Sequence, residues 1–122
     1  MAINESAEDY LETILILSKK LPVVRAVDIS DEMGFKKSSV SIAMKNLREK
    51  GHIEVREHGY IYLTPSGLDI ATMIYERHTF ITDWLVCIGV PEDIAADDAC
   101  RIEHDISKES FAAIKKYVIS HL

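Results

Sequence analysis

The sequence predicts a mainly α-helical protein: three short helices, a two-stranded hairpin, and then a second part that is all-helical. Two observations support this fold class. Apolar residues recur at intervals of three and four along most of the chain, which is the spacing of one helix face. Around His58-Gly59, β-branched and aromatic residues flank a turn instead, which is typical of a hairpin. We expect residues 1–66 and residues 67–122 to form separate domains.

Composition narrows the class of protein. With 48% hydrophobic residues, 28% charged residues and three prolines, the 122-residue chain has the composition of a folded protein rather than a disordered one. No apolar run approaches the roughly 18 residues that a membrane span requires. The first residues lack the basic-then-apolar order of a signal peptide. We therefore expect a cytoplasmic protein with no membrane partner, in which Cys87 and Cys100 are reduced thiols.

The first two helices are predicted by their apolar spacing and by the residues that end them. The first runs over residues 7–20 and stops before Pro22, since proline is disfavoured inside a helix. The second runs over residues 26–33, and Gly34 suits the left-handed turn that ends it. The apolar positions of the first helix are Tyr10, Ile14, Leu17 and Leu21.

The third helix is predicted to start at Ser38 or Ser39, which are good capping residues, and to run to Lys50 before Gly51. Its buried face would contain Val40, Met44 and Leu47. Two helices joined by a short glycine-containing turn are typical of the helix-turn-helix, which places its second helix in the DNA major groove.

A hairpin is predicted after the third helix. Ile53 and Val55 support one strand and residues 60–63 support the other, with His58-Gly59 at the turn. Three helices followed by a two-stranded wing form a winged-helix domain. The sequence thus predicts an N-terminal winged helix-turn-helix with a two-stranded wing.

Charge distribution is compatible with binding to double-stranded DNA. The net charge is −6, yet residues 36–50 contain five basic residues against the single acid Glu49. Lysines and serines suit phosphate oxygens, while an exposed isoleucine can meet a thymine methyl group. The serines can equally serve only as helix caps. The candidate DNA-binding residues are Lys36, Lys37, Ser38, Ser39, Ser41, Ile42, Lys45 and Arg48.

The second half is predicted to be helical throughout. A long helix over residues 68–88, with Ser66 as its cap, ends at Gly89-Val90-Pro91. A helix then starts after Pro91 and runs to about Ala96, and another starts at Asp97 or Asp98. Ser107 caps a last helix over residues 108–121, which would bury Phe111, Ile114, Val118 and Ile119. The long helix has more apolar surface than one small domain needs, so we expect a dimerisation domain.

Potential metal ligands recur at helical spacing. Cys100 lies three residues before Glu103 and four before His104, so the three side chains share a helix face. Asp9 and Glu12, three residues apart, form a second group on the first helix. Each of these residues alone could equally be a core, capping or surface group.

Four features follow one another along the chain: Glu8-Asp9-Tyr10-Leu11-Glu12, the winged helix, Tyr75-Glu76-Arg77-His78, and Ala99-Cys100-Arg101-Ile102-Glu103-His104. In this order they resemble the diphtheria toxin repressor and manganese transport regulator family, and the resemblance covers essentially the whole chain. The resemblance implies a metal-activated, homodimeric transcriptional repressor that binds palindromic operator DNA and controls metal homeostasis. It also implies the metal ligands Asp9, Glu12, His78, Cys100, Glu103 and His104. In that arrangement one metal would tie the first helix to the dimerisation domain.

The implied ligand set mixes two branches of the family. Asp9 resembles the manganese-type regulators and Cys100 the iron-type regulators, whereas Thr82 and Ala96 replace a glutamate and a histidine of the iron-type ancillary site. We expect Mn(II) or Fe(II) as cofactor, bound as one ion or two, with Co(II) or Zn(II) able to substitute. Because the sequence ends at Leu122, we expect no SH3-like C-terminal domain.

Two other functions remain compatible with the residues. One is a small metallohydrolase, although the chain has no large substrate domain, and we expect neither an enzyme nor a small organic substrate. The other is a winged-helix protein-interaction module with a structural metal, whose affinity for DNA would not respond to metal.

Overall fold

The computed structural model describes residues 5–121 and divides the chain into two compact units, one ending at Met73 and the other beginning at Ile74. The boundary falls within the fourth helix. The fold class predicted from the sequence is confirmed, because helices account for most of the described residues and the two strands pair as a wing. In chain order the elements are α1 (Glu5–Lys20), α2 (Ala26–Met33), α3 (Lys37–Glu49), β1 (Ile53–Val55), β2 (Ile61–Leu63), α4 (Pro65–Cys87), α5 (Glu92–Asp105) and α6 (Lys108–Ser120).

Unit 1 is built around one apolar core to which its helices and the small sheet all contribute. β1 and β2 are antiparallel, with Ile53 opposite Leu63, and the backbone N–H of Ile61 donates to the carbonyl of Val24 at 2.8 Å. This bond attaches the sheet to the segment before α2. The most buried core residues of unit 1 are Leu11, Ile14, Ile29, Val40, Leu47, Ile53 and Ala71.

The helix-turn-helix is formed by α2, α3 and the tight turn between them. Gly34 has a φ of 69°, in the left-handed region that favours glycine, and its N–H donates to the Ser30 carbonyl. The bounds predicted for α2 are confirmed. The capping prediction for α3 is wrong: the helix starts at Lys37 with Lys36 as N-cap and no side-chain cap, so Ser38 and Ser39 lie inside its first turn.

The start of α4 also differs from the prediction at its cap. Ser66, expected to be the cap, lies within the helix, and its hydroxyl donates to the Gly51 carbonyl at 3.2 Å. Thr64 instead accepts a hydrogen bond from the backbone N–H of Gly67 at 3.3 Å. Pro65 takes the first helical position, where its missing N–H leaves no intrahelical bond unmade.

Unit 2 contains the remainder of α4 together with α5 and α6. The two short helices predicted around residues 92–105 are one continuous helix, α5. Ala95, Ala99 and Glu103 recur every four residues and are all buried, so a single helix face is covered over its length. Asp97 and Asp98 are therefore mid-helix residues rather than a helix start.

The last helix is capped as predicted, because Ser107 accepts a hydrogen bond from the Ser110 N–H at 3.0 Å. Phe111 is buried and contacts Phe80 edge-on, with ring centroids 5.7 Å apart. Ile119, expected to be buried, is 57% exposed. None of the helices within residues 5–121 is both long and apolar enough to cross a membrane.

Candidate DNA-binding and metal sites

The residues that the sequence suggested for DNA binding lie on the exposed side of α3 and at the residue directly before it. Val40, Met44 and Leu47 face the core of unit 1, which leaves the opposite side of the helix to solvent. Ile42 is 63% exposed and lies on this solvent-facing side. The solvent-facing residues are Lys36, Lys37, Ser38, Ser39, Ser41, Ile42, Lys45 and Arg48.

The described residues do not neutralise the positive charge on this surface. Lys36, Lys37, Lys45 and Arg48 make no ion pair with any residue between 5 and 121. An unneutralised cluster of cations on one helix face is what phosphate binding requires, since the counterions released by the DNA supply much of the affinity.

The wing lies beside α3 in unit 1. Ser41, Lys45 and Arg48 line one groove together with Val55 and Ile61 of the two strands. This groove makes the wing and α3 parts of one continuous surface.

Two further arginines of unit 1 were not predicted as site residues. Arg56 pairs with Glu54 at 2.9 Å and its guanidinium lies 4.2 Å from the centre of the Tyr62 ring. Arg25 donates to the Tyr60 hydroxyl at 3.3 Å. Neither contact had a local signal in the sequence, because Arg56 lies six positions before Tyr62 and Arg25 lies 35 positions before Tyr60.

Within unit 2, the structure brings His78 of α4 to Glu103 of α5. The Nδ1 atom of His78 lies 3.3 Å from Oε1 of Glu103. The Glu103 side chain is completely buried, and its second oxygen, Oε2, has no hydrogen-bond partner among residues 5–121. A buried carboxylate oxygen without a donor is costly, and a cation is the partner that would best offset this cost. The pair therefore fits a metal ion.

A second pair of candidate ligands lies on α5. The Sγ atom of Cys100 and a ring nitrogen of His104 lie within 4.8 Å of each other, as residues four apart on a helix should. Neither Cys87 nor Cys100 is in a disulfide. Cys100 can thus supply a thiolate without first breaking a disulfide.

The remaining two candidate ligands belong to unit 1. Asp9 and Glu12 are partly buried residues of α1, one helical turn apart. The backbone carbonyl of Asp9 accepts a hydrogen bond at 2.9 Å from the hydroxyl of Thr13, a residue of the same helix.

The positions of an iron-type ancillary site lack metal-ligating groups. Ala96 has no ligand atom, and the Thr82 hydroxyl is buried with no hydrogen-bond partner in the described part of the chain. A hydroxyl is a poor substitute for the carboxylate that such a site needs. Of the ligands expected from the sequence, unit 2 contains His78, Cys100, Glu103 and His104.

Taken together, a winged helix with a free basic face and a second unit with paired imidazole and carboxylate groups define a DNA-binding regulator that responds to metal. Comparison with known proteins specifies the family. The N-terminal DNA-binding domain of the iron-dependent repressors matches residues 2–60, and their metal-binding and dimerisation domain matches residues 64–120. The chain belongs to the iron-dependent repressor family. It is a transcriptional regulator with a divalent metal cofactor, not an enzyme, and dimerisation is a trait of its family.

Individual relatives agree with this assignment. The chain is 31% identical over 118 residues to the transcriptional regulator MntR of Escherichia coli O6:H1, covering 97% of this chain and 76% of that protein. It is 29% identical to an uncharacterised HTH-type transcriptional regulator of Methanocaldococcus jannaschii, covering 95% of this chain and 94% of that one.

Solved structures show the same fold. A manganese-dependent transcriptional repressor in complex with manganese is 28% identical, with a TM-score of 0.81 over 91% of this chain and 51% of that one. The IdeR protein of T. acidophilum is 30% identical, with a TM-score of 0.72 over 96% of this chain and 55% of that one. The chain thus spans about half the length of these two proteins.

Proposed function

We propose that this protein is a homodimeric repressor that binds palindromic operator DNA when Mn(II) or Fe(II) occupies its metal site, and so controls metal homeostasis. The observation that carries the proposal is the buried Glu103 carboxylate, with one oxygen beside His78 and the other without a hydrogen-bond donor among the described residues. A group of this kind favours a bound cation over an empty site.

The proposed ligands come from both parts of the sequence. His78 and Glu103 are supported by their 3.3 Å separation, and Cys100 and His104 by their proximity on α5. Asp9 and Glu12 are proposed from the sequence pattern and from their shared helix α1. The set is Asp9, Glu12, His78, Cys100, Glu103 and His104.

The ligand chemistry favours Mn(II) or Fe(II) as the effector. Carboxylates and imidazoles suit both ions, and the single thiolate of Cys100 moves the preference toward Fe(II), Co(II) or Zn(II). Affinity alone favours zinc over manganese at nearly any such site, so coordination geometry and metal supply must provide selectivity. The relatives that are named as manganese regulators support manganese.

A bound metal would supply positive charge that offsets repulsion among the proposed carboxylate ligands. The residues of this chain perform the remaining steps. Glu103 and His78 hold one another at the junction of α4 and α5, and α3 presents its basic face to the DNA. Without metal, a smaller fraction of the protein has the conformation that binds DNA. Ligation increases that fraction and hence the apparent affinity for DNA.

On the DNA, the lysines and Arg48 are proposed to contact phosphates, which fix the position of the protein on the duplex. Ser38, Ser39, Ser41 and Lys45 are proposed to contact base edges, with Ile42 against a thymine methyl group. Two copies of α3 in a dimer would lie about one helical turn of DNA apart, which predicts a palindromic site.

The test uses ligand variants and a matched thiol control. We expect His78→Ala and Glu12→Ala to abolish the Mn(II)-stimulated binding of operator DNA at fixed salt while leaving the dimer intact. Cys100→Ala should weaken the stimulation, whereas Cys87→Ala, which removes a free thiol outside the ligand set, should not. Undiminished stimulation in both His78→Ala and Glu12→Ala would contradict the proposed site.

A further inference from the structure

Arg77 is a buried cation next to the proposed ligands. It lies on α4 directly before His78 and is only 6% exposed. One of its terminal nitrogens donates to the Glu103 carbonyl at 3.0 Å and to the Ile106 carbonyl at 2.8 Å. Both carbonyls lie at the C-terminal end of α5, where helix carbonyls lack partners within the helix.

The guanidinium is also fixed from the side of α6. It lies 5.4 Å from the centre of the Phe111 ring, in the range of a cation–π contact. Phe111 sits in the first turn of α6, whose start is held by the Ser107 cap. Arg77 therefore joins three helices of unit 2 at the turn of α5 that carries Glu103 and His104.

From these contacts we propose that Arg77 is a positioning residue of the metal site, holding the last turn of α5 so that the Glu103 carboxylate meets His78. This inference rests on the proposed function. Arg77 touches no metal itself, since a guanidinium is a cation with no acceptor atom. It acts through the backbone of one proposed ligand and through its neighbour in sequence, His78.

Stability alone is a poor explanation for this arginine. Its Nε–H group is buried and has no hydrogen-bond partner within residues 5–121. An apolar side chain of similar volume would not place an unsatisfied donor inside the protein. A cation held with one donor unsatisfied is better explained by the position it imposes on the two carbonyls.

Arg77→Met tests the proposal because it keeps the volume of the side chain and removes its donors. Removing a positive charge near the site would by itself strengthen the binding of a cation. A weaker affinity for metal would therefore report lost positioning rather than lost charge. Supporting groups around metal ligands typically change affinity by about 10–100-fold, so we expect the Mn(II) dissociation constant to rise by about tenfold or more.

Arg101→Met is the matched control. Arg101 is on α5 as well, but its side chain is exposed and pairs with Asp98 at 3.0 Å. We expect its Mn(II) affinity to remain within about twofold of wild type. Arg77→Lys, which retains the charge and a donor, should lie between wild type and Arg77→Met.

Three measurements are needed. The affinity for Mn(II) is measured from the electron paramagnetic resonance signal of free Mn(II), the ligand geometry from the visible spectrum of bound Co(II), and the stability from thermal unfolding in chelator. The proposal predicts weaker Mn(II) binding and an altered Co(II) spectrum in Arg77→Met, while thermal unfolding in chelator shows that the variant is still folded. If Arg77→Met does not fold, the Arg77→Lys spectrum decides, and a spectrum identical to wild type overturns the proposal. Tight wild-type-like binding in Arg77→Met overturns it as well. Absence of Mn(II) binding by wild type would instead refute the proposed function.

Discussion

Replacing Glu103 by glutamine should make the metal-free protein more stable and should reduce the stability that the protein gains when Mn(II) is added. Glutamine has the shape of the glutamate and retains an acceptor oxygen for His78, 3.3 Å away, but it removes the charge. Because the Glu103 side chain is completely buried and Oε2 has no hydrogen-bond partner within residues 5–121, that charge is poorly compensated without metal. The substitution therefore isolates the cost of keeping a carboxylate ready for a cation.

The magnitude follows from two opposing terms. Burying an ion costs several kcal/mol in effect, and neutralising it recovers most of that. A hydrogen bond to a charged group is worth about 1 kcal/mol more than a neutral one, and the variant loses that difference. We expect a net gain of about 1–3 kcal/mol in the free energy of unfolding of metal-free Glu103→Gln.

The assay is urea unfolding in chelator and in Mn(II). At a metal concentration about 100 times the dissociation constant, wild type should gain about 2.7 kcal/mol, while the variant, lacking one ligand, should gain much less. The difference in stability between wild type and Glu103→Gln should thus shrink or change sign when metal is added. Glu76→Gln is the matched control, since Glu76 forms an exposed ion pair with Lys115 and its loss should cost under about 1 kcal/mol in both conditions. A Glu103→Gln protein that is less stable than wild type in chelator, and is stabilised equally by Mn(II), would refute this reasoning.

Three more predictions concern unit 1. A Cβ atom at position 67 would lie 1.9 Å from the His52 carbonyl oxygen, so Gly67→Ala should lower the free energy of unfolding by about 2–3 kcal/mol. Urea unfolding measures this change, and an unchanged free energy of unfolding would contradict the close approach of Gly67 to His52. Burial raises the pKa of Tyr10, so the folded state holds the phenolic proton more tightly than the unfolded state, and the free energy of unfolding should fall as pH rises above about 10. Tyr10→Phe should lessen that fall. Parallel plots of stability against pH for wild type and variant would contradict this prediction. Lys45→Ala should weaken DNA binding and reduce the slope of log affinity against log salt by about 0.9 while leaving metal affinity unchanged, whereas Lys116→Ala on α6 should leave the slope as in wild type.

The helices and the wing could be predicted from the sequence because their signals are local. The bounds of α2 follow from its apolar spacing and from Gly34, which adopts the left-handed conformation expected of it. Caps were less predictable. Serines near a helix start can bond to several backbone groups, and only the path of the chain decides whether Ser38 or Lys36 occupies the capping position.

The length of α5 was mispredicted for a related reason. Aspartates favour helix starts, so Asp97 and Asp98 suggested a second start, but the buried stripe that includes Ala95 and Ala99 runs past them without a break. Tertiary burial outweighed the local preference of two residues.

The candidate site was predictable in its residue types but not in its environment. Helical spacing places Cys100, Glu103 and His104 on one face, and no local pattern pairs Glu103 with His78, which is 25 residues away. The unpartnered oxygen of Glu103 and the role of Arg77 depend on packing among α4, α5 and α6, which periodicity does not encode. The assignment of the six residues as ligands stays a prediction.

The most direct test of the account is a titration of metal-free protein with Mn(II), Fe(II) under anaerobic conditions, Co(II) and Zn(II), measuring binding to a pool of genomic DNA fragments at fixed salt. We expect a large metal-dependent gain in DNA affinity, with Mn(II) or Fe(II) acting as effector. DNA binding that is weak and the same with and without every metal would contradict it and favour a protein-interaction module with a structural metal.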